Sequence, residues 1–247
     1  MGPLLEICVD DPAGVREAFA GGADRLELCS ALELGGLTPS AALIDHAVST
    51  GLPVHPMIRL RAGGYVLQEG DVAVMVEEIR LALAHGAAGV VVGALLPDGR
   101  LDIEAMARFR DAARDAVIVL HRAIDLSTDP IAAVEQVRVL GYDKLLSSGG
   151  AVSAPDGADT LARMVEVAGP DLSVIAGAGL RPDNVAALVA ATGVREVHGS
   201  ASRLAPAPGE KVVRLGFAFG PRRVTDRAIV AAMRAALLRA EASPETF

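Results

Sequence analysis

The sequence predicts one (β/α)8 barrel, and three observations carry that prediction. Eight apolar, strand-sized runs begin near residues 4, 25, 53, 89, 116, 143, 173 and 195. Each is followed by a helix-length segment with its own start and stop signals. The eight units fill most of the 247 residues and leave no room for a second domain. An open, doubly wound sheet would use the same alternation, but a regular count of eight over about 250 residues favours the closed barrel.

The units follow one grammar. Leu4 to Val9 reads as a strand, after which Asp11-Pro12 offers an acidic cap and a proline at the first helical position, and Gly21-Gly22 stops the helix. Arg25 to Cys29 is the second strand; its helix opens at Thr38-Pro39 and ends at Gly51. Pro53 to Arg59 is the third, with a glycine-containing loop from Arg61 to Gly70 before a helix from Asp71 to His85. Gly89 to Leu95 is the fourth, with a helix from Asp102 to about Arg114. The fifth run, Ala116 to Asp125, carries His121, Arg122 and Asp125 to its C-terminal tip, and Thr128-Asp129-Pro130 opens the next helix. Asp143 to Ser147, Ser173 to Ala178 and Arg195 to Ser200 complete the set, with helices beginning near Asp159 and Pro182. Ala201 to Val224 is irregular, and a helix from Asp226 to Ala242 ends the pattern. Apolar Val212, Val213, Leu215, Phe217 and Phe219 suit a segment that rests on a barrel end or at a subunit contact, not a free linker.

Composition narrows the function. Thirty-one acidic against 23 basic residues give a net charge of −8, which repels phosphate polymers and makes nucleic acid a poor partner. The apolar runs are too short to span a membrane, and no charged region followed by an apolar core opens the chain, so a cytoplasmic protein is expected. Two cysteines, Cys8 and Cys29, are too few for a disulfide framework and should be thiols there.

Strand parity places the chemistry. Glu6 with Cys8, Glu27 with Cys29, His55 with Arg59, His121 with Asp125, and His198 with Ser200 share one parity, while Ile7, Leu26, Leu28, Ile58, Leu120 and Val197 take the other. The apolar set suits the helix layer, so the polar set points inward. Arg122 falls on the apolar parity, which requires the strand to end or bulge before it.

Glu6 and Glu27 on neighbouring strands can meet, and two buried carboxylates must share a proton or find cations. With Arg59, His121, Asp125 and His198 they make a candidate acid/base cluster at the C-terminal mouth; a buried structural network reads equally well. Arg61, Ser148, Gly149, Gly177 and Gly179 would form an anion side, because small residues on successive loops let backbone N–H groups converge. Cys8 and Cys29 could grip one soft ion such as Cu(I), or merely pack.

The motifs Leu5-Glu6-Ile7-Cys8, Gly22-Ala23-Asp24-Arg25-Leu26-Glu27-Leu28-Cys29, Gly35-Gly36-Leu37-Thr38-Pro39-Ser40, Met57-Ile58-Arg59, His121-Arg122-Ala123, Leu146-Ser147-Ser148-Gly149-Gly150, Gly177-Ala178-Gly179 and Glu196-Val197-His198-Gly199-Ser200-Ala201 together resemble the CutC family. The match runs in order from about Leu5 to Ser202. The resemblance implies a cytoplasmic (β/α)8 barrel linked to copper homeostasis and assembled as a homo-oligomer, dimer or tetramer. It carries the family's cysteines onto Cys8 and Cys29 as Cu(I) ligands, and its mouth residues onto Glu6, Glu27, Arg59, Arg61, His121, Arg122, Asp125 and His198. The loop Leu60-Arg61-Ala62-Gly63-Gly64-Tyr65 departs from the family's more proline- and acid-containing pattern. The alternative is an enzyme doing acid/base chemistry on a small anionic or sugar-like molecule.

Overall fold

A computed structural model describes residues 2–242. Eight parallel strands form one sheet: β1 (Leu4–Val9), β2 (Arg25–Leu28), β3 (Val54–Pro56), β4 (Gly89–Val92), β5 (Val117–Leu120), β6 (Lys144–Ser147), β7 (Ser173–Gly177) and β8 (Glu196–Gly199). The hydrogen-bonded order β3-β2-β1-β8-β7-β6-β5-β4 brings first and last strands together. A parallel bridge between Met57 and Val91 closes the gap from β3 to β4, with the Ile58 N–H donating to the Val91 carbonyl at 2.8 Å. The sheet is thus a nearly closed barrel.

Helices alternate with the strands: α1 (Pro12–Gly21), α2 (Ala41–Val48), α3 (Asp71–Ala84), α4 (Ile103–Ala113), α5 (Pro130–Val139), α6 (Ala158–Ala168) and α7 (Val185–Thr192). The cap grammar is physical: Asp11, Asp102 and Asp129 each accept from a backbone N–H three residues on, satisfying a donor that the first turn leaves free. The eighth unit inserts a hairpin and a short helix, β9 (Ser202–Leu204), α8 (Glu210–Arg214) and β10 (Arg223–Thr225), before α9 (Arg227–Ala242) packs against α1 and α7 and completes the ring. None of the described helices is long and apolar enough to cross a membrane.

Two apolar layers follow from parity. Leu5, Ile7, Val9, Leu26, Leu28, Ile118, Leu120, Leu145 and Val197 face outward and pack with helix residues such as Val15, Ile79, Met106 and Leu161. Cys29, Met57, Val91, Val119, Leu146 and Ile175, one from each of six successive strand positions, form a separate cluster inside the barrel. Beneath that plug lies a polar floor at the N-terminal end of the strands. Arg25 Nε donates to Glu6 Oε2 at 2.5 Å and Arg25 Nη2 lies 2.7 Å from Glu196 Oε2, while Lys144 Nζ and Ser173 Oγ bond Glu196 Oε1 at 2.5 and 2.7 Å. Above the plug, the strand tips and their loops form the mouth.

Candidate functional site at the barrel mouth

Glu6 belongs to the floor as much as to the mouth. Its Oε2 takes Arg25, its Oε1 lies 2.8 Å from His198 Nδ1, and it is buried. Burial opposes its charge, but Arg25, then His198 and His55, outweigh burial and hold the carboxyl well below the usual range. With one oxygen on Arg25 and the other against His198, Glu6 is placed to orient both cations. Arg25, which shares the parity of Glu27, is the cation that sequence reasoning overlooked; Arg59 had been expected there.

Glu27 has the opposite fate. It is buried, its Oε2 lies 3.7 Å from Cys29 Sγ and 3.8 Å from His198 Nε2, and its Oε1 has no hydrogen-bond partner among the described residues. Burial raises its pKa despite the pull of His198, and the charge of Glu6 adds to the rise. His198 bridges the two glutamates: with Nδ1 committed to Glu6, Nε2 faces Glu27 and Cys8. Against the cost of burial, Glu27 and Cys8, together with the bond to Glu6, push its pKa well above the ordinary value. Gly177 makes the seat for this ring, since a Cβ there would fall 2.7 Å from Leu146 and 3.3 Å from His198 Cβ.

Cys8, Glu27 and His198 each offer one ligand atom, all within 4.8 Å of one another. Cys29 lies outside that trio. Its Sγ tucks under Gly36, where a Cβ would come within 2.8 Å, and burial with the Glu27 charge pushes its thiol well up. Cys8 is the better placed sulfur for chemistry.

A cavity of about 380 Å³ opens over this trio, lined by Cys8, Glu27, Met57, Tyr65, His121, Arg122 and Asp125 among others. The β5 strand does stop at Leu120, and a 3-10 turn over Arg122–Leu126 swings Arg122 to the rim. Asp125 Oδ1 accepts from Ser147 Oγ at 2.6 Å and from the Ser148 and Gly150 N–H groups at 3.1 Å, and its Oδ2 takes Arg122 Nε at 2.7 Å. The backbone nest expected at Ser148 and Gly149 to bind an external anion is therefore occupied by the protein's own carboxylate. Asp125, ringed by donors, holds the rim together.

Two arginines fall outside this cavity. Arg59 donates to the carbonyls of Leu34, Gly36 and Gly63 at 3.2, 3.1 and 2.7 Å and sits 4.9 Å over the Tyr65 ring, so it ties the loops after β2 and β3 together. Arg61 pairs with Asp71 through both guanidinium ends, one bond measuring 2.6 Å, on the outer side of that loop. Both border a separate small pocket with Leu60, Gly64 and Met75. Of the glycines, Gly179 does line a cavity, beside Arg122, Arg181, His198, Ser200 and Arg223. Tyr65 is the second residue that sequence reasoning missed; an aromatic after a long glycine loop carries no periodic signal.

With that geometry in place, comparison with known proteins is informative. Residues 3–203 match the sequence profile of the CutC family. The family protein CutC of Rhizobium meliloti (strain 1021) is 46% identical over 233 residues, spanning 94% of this chain and 95% of the relative. That of Caulobacter vibrioides (strain NA1000 / CB15N) is 45% identical over 230 residues, spanning 92% and 94%. The crystal structure of CutC from Streptococcus agalactiae, a protein named for copper homeostasis, superposes with a TM-score of 0.76 at 27% identity, covering 80% of this chain and 98% of that one. A thiamine phosphate pyrophosphorylase from Pyrococcus furiosus shares the fold alone, with a TM-score of 0.57 at 18% identity over 96% of both chains. A profile match over most of the chain, and relatives matched nearly end to end, make this protein a member of the CutC family.

Proposed function

We propose that this barrel serves copper homeostasis by taking Cu(I) at its mouth as cargo. The observation that carries the reading is the convergence of Cys8, Glu27 and His198 within 4.8 Å at the cavity wall. Cu(I) favours thiolate and imidazole donors in low coordination number, so Cys8 Sγ and His198 Nε2 are the primary pair. Glu6 on Nδ1 supplies the carboxylate partner that orients a metal-binding histidine and fixes its tautomer. Cys29, the second thiol of the pair expected from the sequence, is a reserve donor behind Glu27 whose use requires ionising a fully buried sulfur.

The test is competition for Cu(I) against a chromophoric chelator under reducing conditions. Cys8→Ser and His198→Gln should each weaken copper binding by about a hundredfold, and Cys29→Ser by about tenfold or less. Copper retained undiminished by the Cys8→Ser, His198→Gln double variant would remove the site. The free thiols of both cysteines fit a reducing cytoplasm, where we place the protein. We also read the chain as one barrel domain whose arm, residues 201–224, joins copies into a homo-oligomer.

A further inference from the structure

His121 plays no part in the proposed metal trio, yet it is among the most constrained side chains at the mouth. The Ala123 N–H donates to its Nδ1 at 3.2 Å, so in the neutral ring the proton sits on Nε2. The ring is neutral because burial, aided by the Arg59 charge, holds its pKa down at about 3. Tyr65 lies against it with centroids 4.3 Å apart. A Cβ at Gly93 would fall 2.6 Å from its Cε1 and 2.8 Å from its Nδ1, so glycine there leaves the ring its seat.

That locked ring aims a donor at nothing. Nε2 has no hydrogen-bond partner among the described residues, although the side chain is only 2% exposed. A buried, unpaired N–H costs stability and calls for an explanation. Glu27 Oε1, on the wall of the same cavity, is likewise buried and unpartnered. At the rim, Arg122 spends Nε on Asp125 and Nη2 on Ser148 Oγ, both at 2.7 Å, while Nη1 makes no hydrogen bond among the described residues. The remaining wall includes apolar Met57, Leu126 and Leu146.

We propose that the mouth holds a small organic anion of the hydroxy- or oxo-acid class, its carboxylate on Arg122 Nη1 and its hydroxyl or carbonyl oxygen accepting from His121 Nε2. One charged donor beside one neutral donor selects two different oxygens on one molecule. A bare carboxylate leaves the imidazole unpaired, and a neutral polyol gives the free Nη1 only an uncharged acceptor. The cavity, at about 380 Å³, lies at the small end of ligand pockets. The site does not use Cys8 and stands whether or not copper binds.

Calorimetry on chelator-treated protein tests it, with glycerate and pyruvate as probes and acetate, glycerol and inorganic phosphate as controls. Glycerate or pyruvate should bind with a millimolar or tighter Kd, and the controls about tenfold more weakly. His121→Phe keeps the ring in its seat and should lower the affinity about tenfold, while Arg138→Gln, on the outer face of α5, leaves it unchanged. In the native protein the imidazole 1H–15N correlation of His121 Nε2–H should shift as the probe saturates, a readout independent of whether the variant folds. Absence of saturable binding by either probe overturns the proposal. So does equal affinity for phosphate, an unmoved His121 resonance, or binding that survives His121→Phe undiminished.

Discussion

Glu6 and Glu27 are the same residue type on adjacent strands, and their surroundings shift their pKa values in opposite directions. Glu6 meets Arg25 and His198 with both oxygens; Glu27 meets a thiol and leaves one oxygen bare. Glu6→Gln should therefore destabilise the fold by about 3 kcal/mol in urea unfolding, because it strips a buried guanidinium of one partner. Glu27→Gln, which removes a carboxyl whose charge burial already disfavours and whose Oε1 has no partner among the described residues, should cost about 1 kcal/mol or less. Equal losses would mean that both glutamates are paired alike. His55 sets a pH dependence: burial lowers its pKa from 6.5 to about 4. Between those values the unfolded chain binds a proton that the folded one refuses, so its contribution to stability is full above pH 6.5 and is lost as pH falls toward 4. Urea unfolding at pH 7 and pH 5 should show the native protein losing about 2 kcal/mol more than His55→Gln. A difference near zero would mean that the ring is charged in the fold.

At the scale of elements, the turn after β5 and the loop after β6 act as one unit. A strand that ended in an open glycine loop would present free N–H groups; here Asp125 reaches across from the 3-10 turn and takes those of Ser148 and Gly150. Asp125→Asn removes the charge that makes these bonds strong and frees Arg122. Amide exchange at Ser148 and Gly150 should accelerate by about tenfold while β1 and β2 amides stay protected. Uniform acceleration would indicate global destabilisation instead. The short helix α2 shows the limit of boundary reading: Ser40, not Thr38, caps it, because Thr38 spends its hydroxyl on Glu78 and the Arg59 carbonyl.

At the scale of the molecule, the arm between β9 and β10 is the part the barrel does not bury. Phe217 is 80% exposed and Phe219 fully so, with Val212, Val213 and Leu215 beside them. The hairpin is anchored by Arg222 on Asp11 and Arg203 on Asp226, both at 2.9 Å, so it is held in place while its apolar residues face solvent. The base of the arm lines the mouth, where Arg222, Arg223 and Thr225 flank a pocket with Cys8 and Leu32, while its apolar tip is exposed; we propose that tip as the subunit contact. A Phe217→Ser, Phe219→Ser variant should sediment at a lower mass than the native protein with its thermal unfolding of the barrel little changed. Identical sedimentation would place any interface elsewhere.

The sequence by itself determined the eight βα units, the barrel, and the inward parity of Glu6, Cys8, Glu27, His121 and His198. These depend on local quantities: apolar runs, caps and the two-residue period of a strand. It also determined that His121 and Arg122 would part company, since one parity cannot hold both. Only the tertiary structure decided which inward residues share a cavity. Depth along a strand separates Glu6 on the floor from Cys8 at the mouth, and partners distant in sequence separate them further, Arg25 and Glu196 below, Tyr65 and the β6 loop above. Parity cannot report depth or loop closure, because both depend on barrel stagger and on contacts between units. The same reason placed Asp125 in the nest that glycines had advertised and put Cys29 behind Glu27, beyond the trio that Cys8 joins.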